Sequence, residues 1–219
     1  MGTRPKVLLL DFGNVTVRLT PERLLAGLSA RRGRAVTPQE WVAALNDPEG
    51  RHYDYERGRI GGPEFHAAMA RRLGLEIPWA EWKTLWNSYF EPNRPMEALV
   101  ARLGTQLRFW GLSNTNAEHL AHLRLNYRVL RRFEGITASC EVGCAKPEAA
   151  IYRAALAALK VAPEEALYLD DVPEYVAAGA AAGLQVFHYT FNDLELKERL
   201  RTLGFELKPL EGASALRCA

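Results

Sequence analysis

Val7-Leu8-Leu9-Leu10 is continuously apolar rather than alternating, the pattern of a strand covered on both faces. Runs of the same kind recur at residues 107–112 (LRFWGL), 166–169 (ALYL) and 184–189 (LQVFHY). Between the later runs the period changes. Residues 147–160 bring Ile151, Ala155, Leu156 and Leu159 to helical spacing, and the alanine-rich stretch 173–182 ends at Gly183. Strand, helix, strand, helix predicts an α/β fold, a Rossmann-like parallel sheet with helices on both faces.

Residues 20–95 read differently. Amphipathic helical patterns are broken there by Gly50, Gly58, Gly61-Gly62 and Pro78, with no buried-strand run among them. Aromatics at Trp41, Tyr53, Phe65, Trp79, Trp82, Trp86 and Phe90 supply a core of their own, most of them as packing. The expected organisation is a core domain of residues 1–19 and 96–219, with a helical cap domain, 20–95, inserted after the first strand. Residues 211–219 are expected to fray.

Composition narrows the function. Lys+Arg 28 against Asp+Glu 26 leaves a net charge of +2 over 219 residues, which calls for no nucleic-acid partner. The densest basic stretch, Arg31-Arg32-Gly33-Arg34, reads as a solvated surface turn. Three cysteines, Cys140, Cys144 and Cys218, build no disulfide framework and suit a reducing compartment. Neither Cys140 with Cys144 nor His119 with His122 finds the further ligands of a zinc site. The apolar stretch before Asp11 is too short for a signal peptide, and nothing approaches the roughly 18 apolar residues of a membrane span. A cytoplasmic protein, away from membranes and monomeric or weakly dimeric, is the expectation.

Ligands of open parallel sheets bind at the carboxyl ends of the strands. The first apolar run ends in Asp11, the second in Ser113-Asn114 and the third in Asp170-Asp171, and Lys146 precedes Pro147 at a helix start. Each has an ordinary reading taken alone: Asp171 and Ser113-Asn114 could cap helices, and Lys146 could lie on the surface. A carboxylate closing an apolar strand, however, needs a charged partner or a metal. Together these groups fit phosphoryl transfer. Asp11 is a nucleophile, Lys146 and Ser113 meet phosphate oxygens, and Asp11 and Asp171 with a backbone carbonyl can ligate Mg²⁺.

The order and spacing resemble the four motifs of the haloacid dehalogenase superfamily. Leu10-Asp11-Phe12-Gly13-Asn14-Val15 is similar to motif I and Gly111-Leu112-Ser113-Asn114-Thr115 to motif II. Gly143-Cys144-Ala145-Lys146-Pro147 is similar to motif III, and Tyr168-Leu169-Asp170-Asp171 to motif IV. Tyr55-Glu56-Arg57-Gly58-Arg59-Ile60 with Phe65 resembles a segment of helical caps lying between motifs I and II. The resemblance implies Asp11 as nucleophile and Asp11, the Gly13 carbonyl, Asp170 and Asp171 around Mg²⁺. It implies Ser113, Asn114, Lys146 and Phe12 around the phosphate of a small-molecule substrate. Tyr53, Glu56 and Arg57 are expected to face the site from the cap.

Two positions depart from the family pattern. Related phosphatases carry a second Asp two residues after the nucleophile, where this chain has Gly13, so a side-chain general acid is missing. The D-x-G-N-V form resembles a branch containing a glucose-1-phosphate phosphatase, so sugar-1-phosphates and other activated esters are the expected substrates. Tyr175 stands where related sequences often have Asn. Other readings are a 2-haloacid dehalogenase, for which the Asp170-Asp171 pair is superfluous charge, and a non-catalytic phosphate-binding domain. A serine hydrolase with Ser113, Asp170 and His188 is a further one, though its nucleophile elbow lacks a glycine.

Overall fold

The computed structural model describes residues 3–46 and 51–209; the expected fraying at 211–219, and Cys218, lie outside the described residues. In chain order the elements are β1 (Val7–Leu10), β2 (Val17–Leu19), α1 (Pro21–Arg32), α2 (Pro38–Leu45), α3 (Arg51–Glu56), α4 (Gly62–Leu73), α5 (Trp79–Asn87) and β3 (Phe90–Pro92). There follow α6 (Arg94–Leu103), β4 (Arg108–Ser113), α7 (Ala117–Asn126), β5 (Gly135–Ala138), α8 (Ser139–Val142) and α9 (Ala149–Leu159). The chain closes with β6 (Ala166–Asp170), α10 (Pro173–Ala181), β7 (Gln185–His188) and α11 (Asp193–Thr202).

Five strands form one parallel sheet in the order β5-β4-β1-β6-β7. All four expected runs are strands of it. The chain fills one side of β1 with β4 and β5 and then crosses to fill the other, so strand order reverses beside β1, where such sheets bind ligands. Alternation along β1 explains why it is apolar throughout. Leu8 and Leu10 join a core with Met96, Leu99 and Val100 of α6 and Leu196 and Leu200 of α11. Val7 and Leu9 join the opposite core with Ile151, Tyr152 and Ala155 of α9. β5, Gly-Ile-Thr-Ala, was not expected. It is half-buried and only four residues long at the sheet edge, so it never needed an apolar run.

Between β2 and β3, which pair antiparallel, α1 to α5 close around Leu24, Leu28, Trp41, Phe65, Trp82 and Trp86. Local sequence starts and stops these helices. Thr37 and Glu40 form a reciprocal capping box on α2, and Gly33 ends α1 in the left-handed region. The basic stretch there is the exposed turn expected at Arg31, Gly33 and Arg34, but not at Arg32. The Arg32 side chain is 4% exposed, pairing with Glu40 at 2.9 Å and donating to the Leu73 carbonyl at 3.2 Å. It ties the end of α1 to α2 and α4, which exceeds what a surface arginine does.

The helical layer meets the sheet domain at Gly58. That residue has φ 66°, and a Cβ on it would lie 2.3 Å from the Cys140 carbonyl oxygen. Beside it, Ser139 Oγ donates to the Glu56 carbonyl at 2.6 Å and accepts from the Thr115 N–H at 2.9 Å. Gly58→Ala is therefore expected to lower the unfolding free energy by about 1–3 kcal/mol, the range of an overpacked contact plus a strained φ. Urea denaturation checks this, and a variant with the wild-type midpoint would refute the close approach.

Candidate active site

β1, β4 and β6 end side by side, so the residues that close them converge. Asp11 follows β1 and donates its N–H to the Leu169 carbonyl at 3.0 Å, which fixes it against the end of β6. Its own carbonyl accepts from Thr16 Oγ1 at 2.6 Å. The Lys146 ammonium lies between two carboxylates, 2.7 Å from Asp11 Oδ1 and 2.6 Å from Asp170 Oδ2. All three residues are buried. Lys146 is not the surface lysine that its isolated sequence context allowed.

Asn114 sets the lysine. Its amide donates to the Lys146 carbonyl at 3.0 Å, and its oxygen accepts from the Lys146 N–H at 2.8 Å. Asp170 is equally committed. Oδ1 accepts from the Val172 N–H at 2.8 Å, and Oδ2 accepts from the Tyr168 hydroxyl as well as from Lys146. Asp171 is the freer of the pair, with Oδ2 accepting from Asn14 Nδ2 at 3.1 Å. It caps nothing: α10 begins after Val172 without a side-chain cap. Ser113 donates to the Asn114 carbonyl at 3.3 Å. The Phe12 ring packs into the core against Phe133, leaving its backbone to the site. The Gly13 carbonyl accepts from the Val15 N–H at 2.7 Å.

Carboxylate oxygens of Asp11, Asp170 and Asp171 lie within 4.8 Å of one another. With one ammonium among three carboxylates, the ionised cluster holds two negative charges unbalanced. Burial raises the Asp11 pKa to about 7 against the pull of Lys146, with Asp170 adding repulsion. Burial, and then Asp170, also push Asp171 up. Lys146 is disfavoured by burial, but Asp11 and Asp170 outweigh it and hold the lysine above its ordinary value. The lysine stays charged, and the surplus falls on the aspartates. An all-oxygen donor set with surplus negative charge fits a hard divalent cation such as Mg²⁺.

These residues floor a cavity of ≈ 290 Å³ whose far wall comes from the helical layer: Trp41, Leu45, His52, Glu56, Trp86 and Tyr89. Of the three residues expected to face the site, Glu56 lines the cavity. Tyr53 is exposed, and Arg57 pairs with Glu148 instead. Trp41, Leu45 and Trp86 were missed as wall residues because their helical spacing reads as packing, which they also perform. Asn14 was missed too. Its φ of 56° is a signal, since Asn tolerates the left-handed region, but no sequence shows a dihedral angle. Tyr175, where related sequences often have Asn, reaches the lysine side of the cluster: its ring lies 4.9 Å from Lys146 Nζ, and its hydroxyl accepts from Asn114 at 3.4 Å.

His119 is structural, as expected. Its Nδ1 accepts from the Asn116 amide at 3.1 Å, Nε2 donates to the Trp86 carbonyl at 3.1 Å, and burial lowers its pKa to about 3. The serine-hydrolase reading fails on geometry. His188 Nε2 is bonded to the Asp171 carbonyl at 3.0 Å and does not line the cavity with Ser113. Among the described residues, no helix is long and apolar enough to cross a membrane.

A family model described as haloacid dehalogenase-like hydrolase matches residues 9–183. The chain belongs to this family of hydrolases. A sesquiterpene phosphatase of Aspergillus oryzae is 26% identical over 140 residues, covering 62% of this hydrolase and 70% of that protein. Bifunctional epoxide hydrolase 2 of Sus scrofa is 29% identical over 92 residues, 42% of this chain, and the chain spans only 17% of it. Among solved structures, a HAD family enzyme of Bacteroides thetaiotaomicron, in complex with magnesium and inorganic phosphate, superposes with a TM-score of 0.73 at 24% identity. It covers 84% of this hydrolase and 93% of that chain. That likeness is one of fold.

Asp11 supplies a test of the cluster's electrostatics. A carboxyl with a raised folded pKa stabilises the fold fully below about pH 4, and that contribution is lost as pH rises through about 7. In EDTA, the stability of Asp11→Asn relative to wild type should therefore rise between pH 4 and pH 8, by on the order of 2–4 kcal/mol. A difference that is flat or falls across this range would contradict the assigned burial of charge.

Proposed function

We propose that this hydrolase is a magnesium-dependent phosphatase of small-molecule phosphate monoesters, working through a phosphoaspartate on Asp11. The observation that carries the reading is the buried Lys146 ammonium between Asp11 and Asp170, with Asp171 beside them, at the sheet's ligand-binding edge. The names of the Aspergillus phosphatase and of the Bacteroides magnesium–phosphate complex support it. In this reading residues 20–95 are a cap domain over a core of 1–19 and 96–219.

Lys146 and Ser113, with backbone N–H groups after β1, receive the phosphate oxygens, and Asn114 holds Lys146 in place. A carboxylate oxygen of Asp11 attacks phosphorus. As that bond forms the ester P–O bond breaks, and the leaving oxygen takes its electron pair and then a proton from water. A second water attacks the acyl phosphate, restoring the Asp11 carboxylate and releasing inorganic phosphate. Asp11, Asp171 and the Gly13 carbonyl would hold Mg²⁺, with Asp170 contributing through Lys146 or a bridging water. The ion supplies neutralisation of the repulsion between carboxylate and phosphate. A 2-haloacid dehalogenase attacks carbon and has no use for the charge that Asp170 and Asp171 gather here.

Gly13 brings no side chain to protonate a leaving group. General acid catalysis contributes roughly 10²–10⁴-fold, so activated esters such as acyl phosphates and sugar-1-phosphates are favoured over simple alkyl ones. The nearest atoms to a Cβ on Gly13 belong to the flexible end of Leu19, Cδ1 at 3.3 Å, which leaves a larger residue room at small cost.

The test is phosphate release from p-nitrophenyl phosphate, acetyl phosphate, glucose-1-phosphate and glucose-6-phosphate, with magnesium or EDTA. Turnover should need magnesium and fall by a factor on the order of 10³ or more in Asp11→Asn. Release that survives either change would end the reading. Gly13→Asp should raise turnover of alkyl phosphates by about 10²-fold while changing acetyl phosphate little. An unchanged alkyl rate in that variant would refute the role given to position 13.

A further inference from the structure

We propose that the substrates are aryl monophosphates, the ring lying among Trp41, Leu45, Trp86 and Phe90 and the phosphate on Lys146. This rests on the phosphatase reading and narrows its leaving group. Two independent features of the site lead there: what the cavity wall offers, and what position 13 withholds.

The wall offers apolar surface. Trp41, Leu45, Trp86, Phe90, Leu19 and Leu123 line the cavity above the charged floor. Several of the polar groups between them are already spent on one another. Asn116 accepts from the His119 N–H at 3.0 Å and from Trp86 Nε1 at 3.5 Å, while its amide donates to His119 Nδ1. Trp86 accepts in turn from His119 Nε2. Asn14 and Asn114 are committed to Asp171 and to the Lys146 backbone. What remain are the hydroxyls of Tyr89, Tyr175 and Thr115 and a His52–Glu56 pair at 3.7 Å, few for the several hydroxyls of a sugar. A polyhydroxylated sugar entering this space gives up its water hydrogen bonds for few replacements, and buried unpaired hydroxyls oppose binding. A ring loses nothing of the kind. The size also suits: an apolar cavity of about 150 Å³ holds benzene, and this one measures ≈ 290 Å³ with the phosphate floor included.

Position 13 withholds an acid. A phenol ionises near pH 10 in water, as tyrosine does, so a phenoxide departs as the anion without a proton being delivered. Asp11 attacks phosphorus, the aryl P–O bond breaks with its electron pair on the phenoxide oxygen, and water protonates it afterwards. An aryl ester therefore meets both constraints at once.

Intrinsic reactivity alone would favour any aryl ester, so the test compares substrates of matched leaving oxygen. 2-Naphthyl phosphate and phenyl phosphate release phenols of similar acidity and differ in apolar area. With the full chain and magnesium, kcat/KM for 2-naphthyl phosphate should exceed that for phenyl phosphate by about tenfold, carried by KM. It should exceed glucose-1-phosphate by about 10²-fold or more. Leu45→Gln, at a half-buried wall position, should lower the ratio of naphthyl to acetyl phosphate efficiency by about tenfold. Equal KM for the naphthyl and phenyl esters, or glucose-1-phosphate turned over as well as either, would overturn the inference while acetyl phosphate hydrolysis left the phosphatase reading standing. Inertness toward every ester, acetyl phosphate included, would sink the phosphatase reading itself.

Discussion

A single ammonium sets the terms for the rest of the molecule. Lys146 is 3% exposed, and a charge removed from water to that degree is tolerated only beside opposite charge with every hydrogen bond made. Its two carboxylate partners stand at the ends of adjacent strands, Asp11 after β1 and Asp170 closing β6. The order of the sheet is therefore part of the ion pair. Only a topology that lays β6 against β1 brings those two acids to one lysine. Asn114, beyond the end of β4 on the other side of β1, then fixes the lysine's backbone at two points. Three strands contribute to one charge. Removing the lysine would leave Asp11 and Asp170 buried without their counter-charge, typically at a cost of about 3–5 kcal/mol, whereas losing one aspartate leaves the lysine paired with the other.

The helical layer is bound to this centre rather than merely laid over it. Trp86 belongs to the aromatic core of that layer, stacks on His119 at 4.4 Å between centroids, and lines the cavity. His119 is held neutral by burial and hydrogen-bonded at both ring nitrogens, so it passes no proton and serves as a joint between layers. Ser139 does the same for the backbone, reaching Glu56 on one side and Thr115 on the other. Because the wall of the cavity is also the core of the layer that carries it, the shape of the site and the stability of the helical layer rest on the same side chains.

The parts most legible in the sequence were those where burial on two faces leaves a one-dimensional trace. The apolar runs of β1, β4 and β6 became largely buried strands whose closing polar residues meet at one end of the sheet with Lys146, while the run of β7 became a half-buried edge strand. What the sequence hid has a physical reason in each case. β5 lies at a sheet edge and is stabilised by pairing with β4, so its residues carry no apolar run. Arg32 looks like a surface residue until α2 and α4 close over its stem. Trp41 and Trp86 pack and line a cavity at the same time, and helical periodicity reports only the first role. Asn14 bridges Asp171 and the Leu19 N–H through a left-handed backbone that no residue pattern displays. Two of the three residues of the helical layer expected to face the site, Tyr53 and Arg57, do not line the cavity, because a helix face is set by packing that spacing alone does not resolve.

The division between a charged floor and an apolar wall has a consequence for position 13. Burial of the floor under an apolar wall strengthens the interaction of Lys146 with a phosphate, since the surrounding protein screens charge less than water does. The same burial raises the cost of surplus negative charge, which Asp11 and Asp171 already show. A carboxyl added at position 13 would feel that surplus and be driven toward its neutral form, the state a general acid requires. Neither electrostatics nor space therefore demands glycine there; the nearest atom to a new Cβ is the end of a leucine. What makes glycine sufficient is a leaving group that departs without a proton, so the missing carboxyl and the apolar wall are two descriptions of the same substrate.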